Sequence, residues 1–181
     1  MREFLRRPRS ALIMGGVVCA VVVAVLAVTV AASGSSGHQR ERAAKAFTLK
    51  QLGHAGQHVS LAAFAGHPVI VNFFASWCGP CQKETPLLAR FYAQHHGRIQ
   101  VIGIDSNDKA GNAVKFVAKM GVKYPVGLDP FPANTALSYG VVALPQTFFL
   151  NARHRIVKHV IGGVTASELS GWADQLGGAG S

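Results

Sequence analysis

A nearly unbroken apolar run, Val69-Ile70-Val71-Asn72-Phe73-Phe74-Ala75, leads through Ser76-Trp77 into Cys78-Gly79-Pro80-Cys81. β-Branched and aromatic residues at successive positions, without polar alternation, suit a strand buried on both faces. A strand of that kind must lie inside a sheet covered by other layers. Downstream, the spacing predicts a helix from Cys78 to about His96 that buries Leu87, Leu88, Phe91 and Tyr92, with Pro86 inside it as a kink. IQVIGID reads as a second buried strand, followed by a helix from about Ala110 to Met120.

Shorter elements surround this centre. FTLKQL and VSL read as short strands joined by a turn over Gly53–His58, YPVGLD as a strand, and Pro132–Tyr139 as a short helix. QTFFL and RIVKHVIGG read as strands joined by a hairpin at Asn151-Ala152-Arg153-His154. Thr165-x-x-Glu168 forms a capping box for a last helix, in which Leu169, Trp172, Ala173 and Leu176 share one face before Gly177-Gly178. Strands alternating with helices, then a hairpin and a helix, define an α/β fold with a mixed central sheet flanked by helices.

The chemistry centres on Cys78 and Cys81. A cysteine at a helix N-terminus faces unpaired backbone N–H groups and the positive end of the helix dipole, which stabilise the thiolate. A second cysteine one turn later can attack the mixed disulfide that the first one forms. Cys78 is therefore the candidate nucleophile and Cys81 the resolving thiol. Trp77, Gly79 and Pro80 complete the motif and are candidate substrate contacts. No other cysteine occurs after Cys19, so neither a disulfide framework nor a four-cysteine zinc site is available. The eight histidines are scattered and include no H-E-x-x-H motif, and no cofactor or metal is expected beyond the redox-active cysteine pair.

The N-terminal region follows different rules. Residues 10–32 contain no charge over 23 positions, which as a helix spans about 35 Å and suffices for a bilayer core. This run is longer than the apolar stretch of a cleaved secretory leader, so a signal-anchor is expected. The small residues Val28-Thr29-Val30-Ala31-Ala32-Ser33 keep a cleaved leader as the alternative. Arg2, Arg6, Arg7 and Arg9 form a basic flank over residues 1–9 that stays cytoplasmic, placing the rest of the chain across the cell membrane. Residues 33–46, Gly/Ser-rich and then charged, read as a flexible tether, and residues 47–178 as the catalytic domain. The net charge of +10 includes that arginine flank, and the remaining basic residues are scattered without aromatic interleaving. No nucleic-acid site is expected.

W-C-G-P-C matches thioredoxins. Together with Gly66-x-Pro68 before V-I-V-N-F-F-A-S-W-C, with Glu84 and Pro86, V-I-G-I-D, Tyr124-Pro125 and V-V-A-L-P-Q-T-F-F-L, it resembles the membrane-anchored, extracytoplasmic TlpA/ResA/CcmG (DsbE)-like branch of the thioredoxin-like superfamily. The resemblance covers about Phe47 to Leu176. It implies a thioredoxin-like fold and a cis peptide before Pro145, which would leave the Leu144 backbone free to pair with a substrate segment. Two positions mark this branch against cytoplasmic thioredoxins. Asn72 stands where those proteins bury an aspartate, and Glu84 matches a glutamate assigned to proton acceptance beside the second cysteine. Phe74 replaces a Trp found in many relatives.

The resemblance implies a thiol–disulfide oxidoreductase that reduces protein disulfides outside the cytoplasm. Its expected client is the haem-attachment C-x-x-C of apocytochromes c, and its expected electron donor a membrane thiol transporter. The alternatives are a general extracytoplasmic disulfide oxidase, a thiol peroxidase on the same fold, and a non-catalytic binding module. A peroxidase does not need this exchange motif, and binding modules usually lose one cysteine, whereas both are present here.

Overall fold

A computed structural model describes residues 42–178. In chain order it contains β1 (Arg42–Ala43), β2 (Thr48–Lys50), β3 (His58–Ser60) and a 3-10 turn (Leu61–Phe64), then β4 (Val69–Phe74), α1 (Gly79–His95), β5 (Gln100–Ser106) and α2 (Ala110–Lys119). The second half comprises β6 (Val126–Asp129), α3 (Asn134–Tyr139), β7 (Gln146–Leu150), β8 (Arg155–Ile161) and α4 (Ala166–Gly178).

Six strands form one mixed sheet in the order β1-β8-β7-β4-β5-β6, and β2 and β3 pair separately as an antiparallel ribbon. β4, β5 and β6 are parallel, while β7 runs antiparallel to β4, and β8 antiparallel to β7. All six residues of β4 are buried, as a doubly covered central strand requires. Its pleat divides the core. Ile70 and Phe74 face a cluster built with Leu88 and Phe91 of α1, Phe116 of α2 and Leu169 of α4, whereas Val69, Val71 and Phe73 face Phe148, Leu150 and Tyr139. This is a thioredoxin-like α/β fold, and it aims the C-terminal end of β4 at the N-terminus of α1.

The expected elements appear with small boundary shifts. α1 continues through Pro86 to His95, with Leu88 and Phe91 buried and Leu87 and Tyr92 packed at the edge of the same cluster. The capping box of α4 forms as read: the Thr165 N–H donates to Glu168 Oε2 at 2.9 Å, and the Glu168 N–H to Thr165 Oγ1 at 3.2 Å. The short helix expected from Pro132 begins instead at Asn134. Phe131–Pro132 is a cis peptide, and the Asp129 carboxylate caps the turn by accepting from the N–H groups of Thr135 (3.1 Å) and Ala136 (2.8 Å). The tether expected over 33–46 also ends early, because Arg42 and Ala43 pair with Ile156 and Arg155 and cover part of the outer edge of β8. The expected basic flank, the expected membrane anchor and most of the expected tether lie outside the described residues. Among the described residues no helix is long and apolar enough to cross a membrane.

Candidate active site

β4 delivers the chain to Ala75, and the Cys78 N–H donates to the Ala75 carbonyl at 3.2 Å, closing the turn into α1. Cys78 is the N-cap of the helix: its backbone is extended, and its Sγ accepts from the Cys81 N–H at 3.3 Å. The sulfur therefore sits where a helix presents unpaired donors, the arrangement that favours a thiolate. Pro80 in the first turn needs no N–H partner there. Cys78 and Cys81 are joined as a disulfide with S–S 2.03 Å. Cys78 keeps 4% of its surface exposed and Cys81 none, while Gly79, Pro80 and the Trp77 ring lie open beside them.

Two loops frame this turn. The Trp77 indole N–H donates to the Asn107 carbonyl at 3.1 Å, and the Ser76 N–H donates to Asp108 Oδ2 at 2.6 Å. On the other side, Leu144–Pro145 is a cis peptide, and Pro145 is buried. The register pairs Phe73 with Gln146, so Pro145 and Leu144 run alongside Phe74 and Ala75, the approach to Cys78. The ladder begins at Gln146 and leaves Leu144 outside it, packed against the cluster that contains both cysteines.

Beneath the disulfide lies a polar island. Glu84, one turn beyond Cys81 on the same buried face, is 2% exposed. Asn72 Nδ2 donates to Glu84 Oε1 at 2.8 Å and to Thr147 Oγ1 at 3.0 Å, and the Val164 N–H donates to Glu84 Oε2 at 2.8 Å. Burial pushes the Glu84 pKa above its ordinary value, and the bonds from Val164 and Asn72 only partly oppose that rise. Asn72 is thus the hydrogen-bonding support of a carboxylate that enters from α1.

A second buried carboxyl, Asp105 at the end of β5, has its pKa pushed up to about 8, by burial first and then by Asp108 and Asp129. Asn107, Asp108 and Val164 lie outside every motif read from the sequence; Asp105 and Thr147 lie inside V-I-G-I-D and V-V-A-L-P-Q-T-F-F-L, which gave neither a role. The C-terminal position of Asp105 in a buried strand is the one further hint of a site. Among the described residues, no group of three His, Cys, Asp or Glu side chains is arranged to hold a metal ion.

A helix-capping cysteine disulfide-bonded one turn along, flanked by a cis-proline on a thioredoxin-like sheet, defines a thiol–disulfide oxidoreductase. The Redoxin family signature matches residues 39–176, and the chain belongs to that family. It is 32% identical over 123 residues to the thiol-disulfide oxidoreductase ResA of Bacillus thuringiensis, covering 67% of this chain and 70% of the relative. Among solved structures it is similar to a DsbF homologue from Corynebacterium diphtheriae (TM-score 0.68, 28% identity, 77% of this chain and 89% of the other). It is also similar to a secreted thiol-disulfide isomerase from Corynebacterium glutamicum (TM-score 0.67, 28% identity, 73% and 83%).

Proposed function

We propose that the chain works outside the cytoplasm as a reductase of protein disulfides, held at the membrane by residues 10–32, with apocytochrome c haem-site cysteines as its client. In the cycle, the Cys78 thiolate attacks a client disulfide, forming a mixed disulfide and expelling one client thiolate, which takes up a proton. Cys81 then gives up its proton to Glu84 and attacks Cys78 Sγ. That step releases the second client thiol and leaves Cys78–Cys81 oxidised: one client disulfide is reduced and one dithiol is oxidised. A membrane thiol–electron transporter returns the two electrons and two protons. Leu144, Trp77, Gly79 and Pro80 provide the surface on which the client lies, with Pro145 setting the Leu144 backbone for strand-like pairing.

The observation that carries this reading is the buried Glu84 beside the resolving cysteine. A buried carboxyl whose pKa is raised holds a proton more readily than a free glutamate, which suits it to accept one from Cys81 and pass it on. The extracytoplasmic placement is supported by the arginine flank and by likeness to a secreted isomerase.

The reading is tested in cells. Cys81→Ser should accumulate client adducts on Cys78, and Cys78→Ser should accumulate none. Deletion of the gene should deplete covalent c-type cytochromes, with restoration by an added small thiol. Normal cytochrome c in the deletion strain would refute the client. An alkaline phosphatase reporter inactive when fused at the C-terminal end would refute the topology.

A further inference from the structure

The segment Ala143-Leu144-Pro145, which the proposed function uses as the client-pairing backbone, is tied to the sheet by a side-chain brace on the face opposite the disulfide. Gln146 follows the cis-proline and is only 2% exposed, so both ends of its carboxamide require partners. Its Nε2 donates to the Ala143 carbonyl at 2.9 Å. Its Oε1 lies 2.8 Å from His159 Nε2.

These two bonds determine the imidazole tautomer. Because the amide N–H₂ is committed to a carbonyl, the end facing His159 is an oxygen, and the ring nitrogen against it must carry the proton. His159 lies opposite Phe148 in the β7–β8 register and stacks on that ring at 4.0 Å between centroids, with 11° between the planes. The stacking holds the imidazole in the plane from which Nε2–H reaches Gln146. Desolvation, and then Arg42 of β1, lower the His159 pKa and favour the neutral ring.

We propose that His159 is a positioning residue for disulfide exchange: through Gln146 it holds the Ala143 carbonyl, and so sets the backbone just before Pro145 on which a protein client docks. Without the His159 donor, the buried Gln146 Oε1 loses its partner, the carboxamide turns or withdraws, and the 143–145 segment loses its side-chain tie to β8, keeping the backbone bond from the Gly162 N–H to the Pro145 carbonyl (2.9 Å) but no hold on the Ala143 carbonyl. Binding of extended clients weakens, while the thiol chemistry at Cys78 is untouched. The inference rests on the client-pairing role of Leu144 and not on the identity of the client.

The test uses the full-length chain in detergent, reduced with dithiothreitol, with insulin as the protein disulfide and oxidised glutathione as a small one. His159→Ala should raise KM for insulin about fivefold to tenfold at nearly constant kcat, and should leave the rate with oxidised glutathione within about twofold. His159→Gln, which restores an N–H donor at that position, should recover most of the loss. ¹⁵N NMR of the wild-type imidazole should show the Nε2–H tautomer. An unchanged KM for insulin in His159→Ala, or an Nδ1–H tautomer, would overturn the inference. Loss of the proposed client would show instead in cytochrome c levels.

Discussion

Glu84→Gln separates the chemistry of the buried carboxylate from its packing, because the side chains have the same shape. An ordinary thiol with a pKa of about 8.5 is only about 3% thiolate at pH 7. If Glu84 takes the proton of Cys81, its loss should slow release of the mixed disulfide about 10- to 30-fold at pH 7 and have no effect near pH 9. Stability should move differently. In the folded state the Glu84 pKa lies above its ordinary value of 4.5, so the folded chain holds the proton more firmly than the unfolded one. The wild type therefore loses stability as pH rises from about 4.5 through the folded-state pKa, and a glutamine removes that slope. The new amide N–H₂ replaces an acceptor beside Asn72 Nδ2, and the cost is limited because the Asn72 carboxamide can turn its unpartnered Oδ1 toward it, with the Thr147 hydroxyl donating in turn. The assay is a single-turnover experiment from pH 6 to 9. A mixed disulfide is formed on Cys78 with a fluorescent client peptide, and its release is followed. Coincident rates for wild type and Glu84→Gln across that range would refute the proton-acceptor role.

Two further perturbations probe the frame of the site. Asp105, with its pKa pushed up to about 8, destabilises the folded state increasingly from about pH 4 to about pH 8, by up to about 1.4 kcal/mol per pH unit. Asp105→Asn should accordingly raise the melting temperature more at pH 8 than at pH 5, and an equal shift at both would show that the carboxyl is not held neutral. Gly103 lies opposite Asn72 in β5, and a Cβ there would come within 2.9 Å of Phe74 Cε1 and 3.1 Å of both Tyr124 Cε2 and Val126 Cγ2. Phe74 is fully buried and cannot swing away, so Gly103→Ala should lower stability by about 1–3 kcal/mol in urea titration. An unchanged midpoint would mean the ring relaxes.

Much of this molecule is written in short-range pattern. The apolar run of β4, the helix opening at Cys78, the hairpin at Asn151–His154 and the Thr165/Glu168 cap each depend on neighbours a few residues away, and each forms where periodicity and capping chemistry place it. The cysteine pair belongs to the same class, since a one-turn spacing at a helix start suffices to bring the sulfurs together. Other features depend on contacts that no local pattern encodes. The helical phase of Glu84 allows either a solvated or a buried carboxylate. Its burial follows from Asn72, twelve positions before it, and Val164, eighty after it, converging on the two oxygens. The Asp108 bond to Ser76, the cap that Asp129 gives α3, and the His159–Gln146–Ala143 brace are likewise made between segments that meet only when the sheet assembles. Arg42 and Ala43 look like tether because two polar or small residues have no strand pattern of their own; the open edge of β8 makes them a strand. Local chemistry chose the elements and the reactive pair, and long-range packing chose which carboxylates lose water, because desolvation is a property of the assembled surroundings and not of the residue.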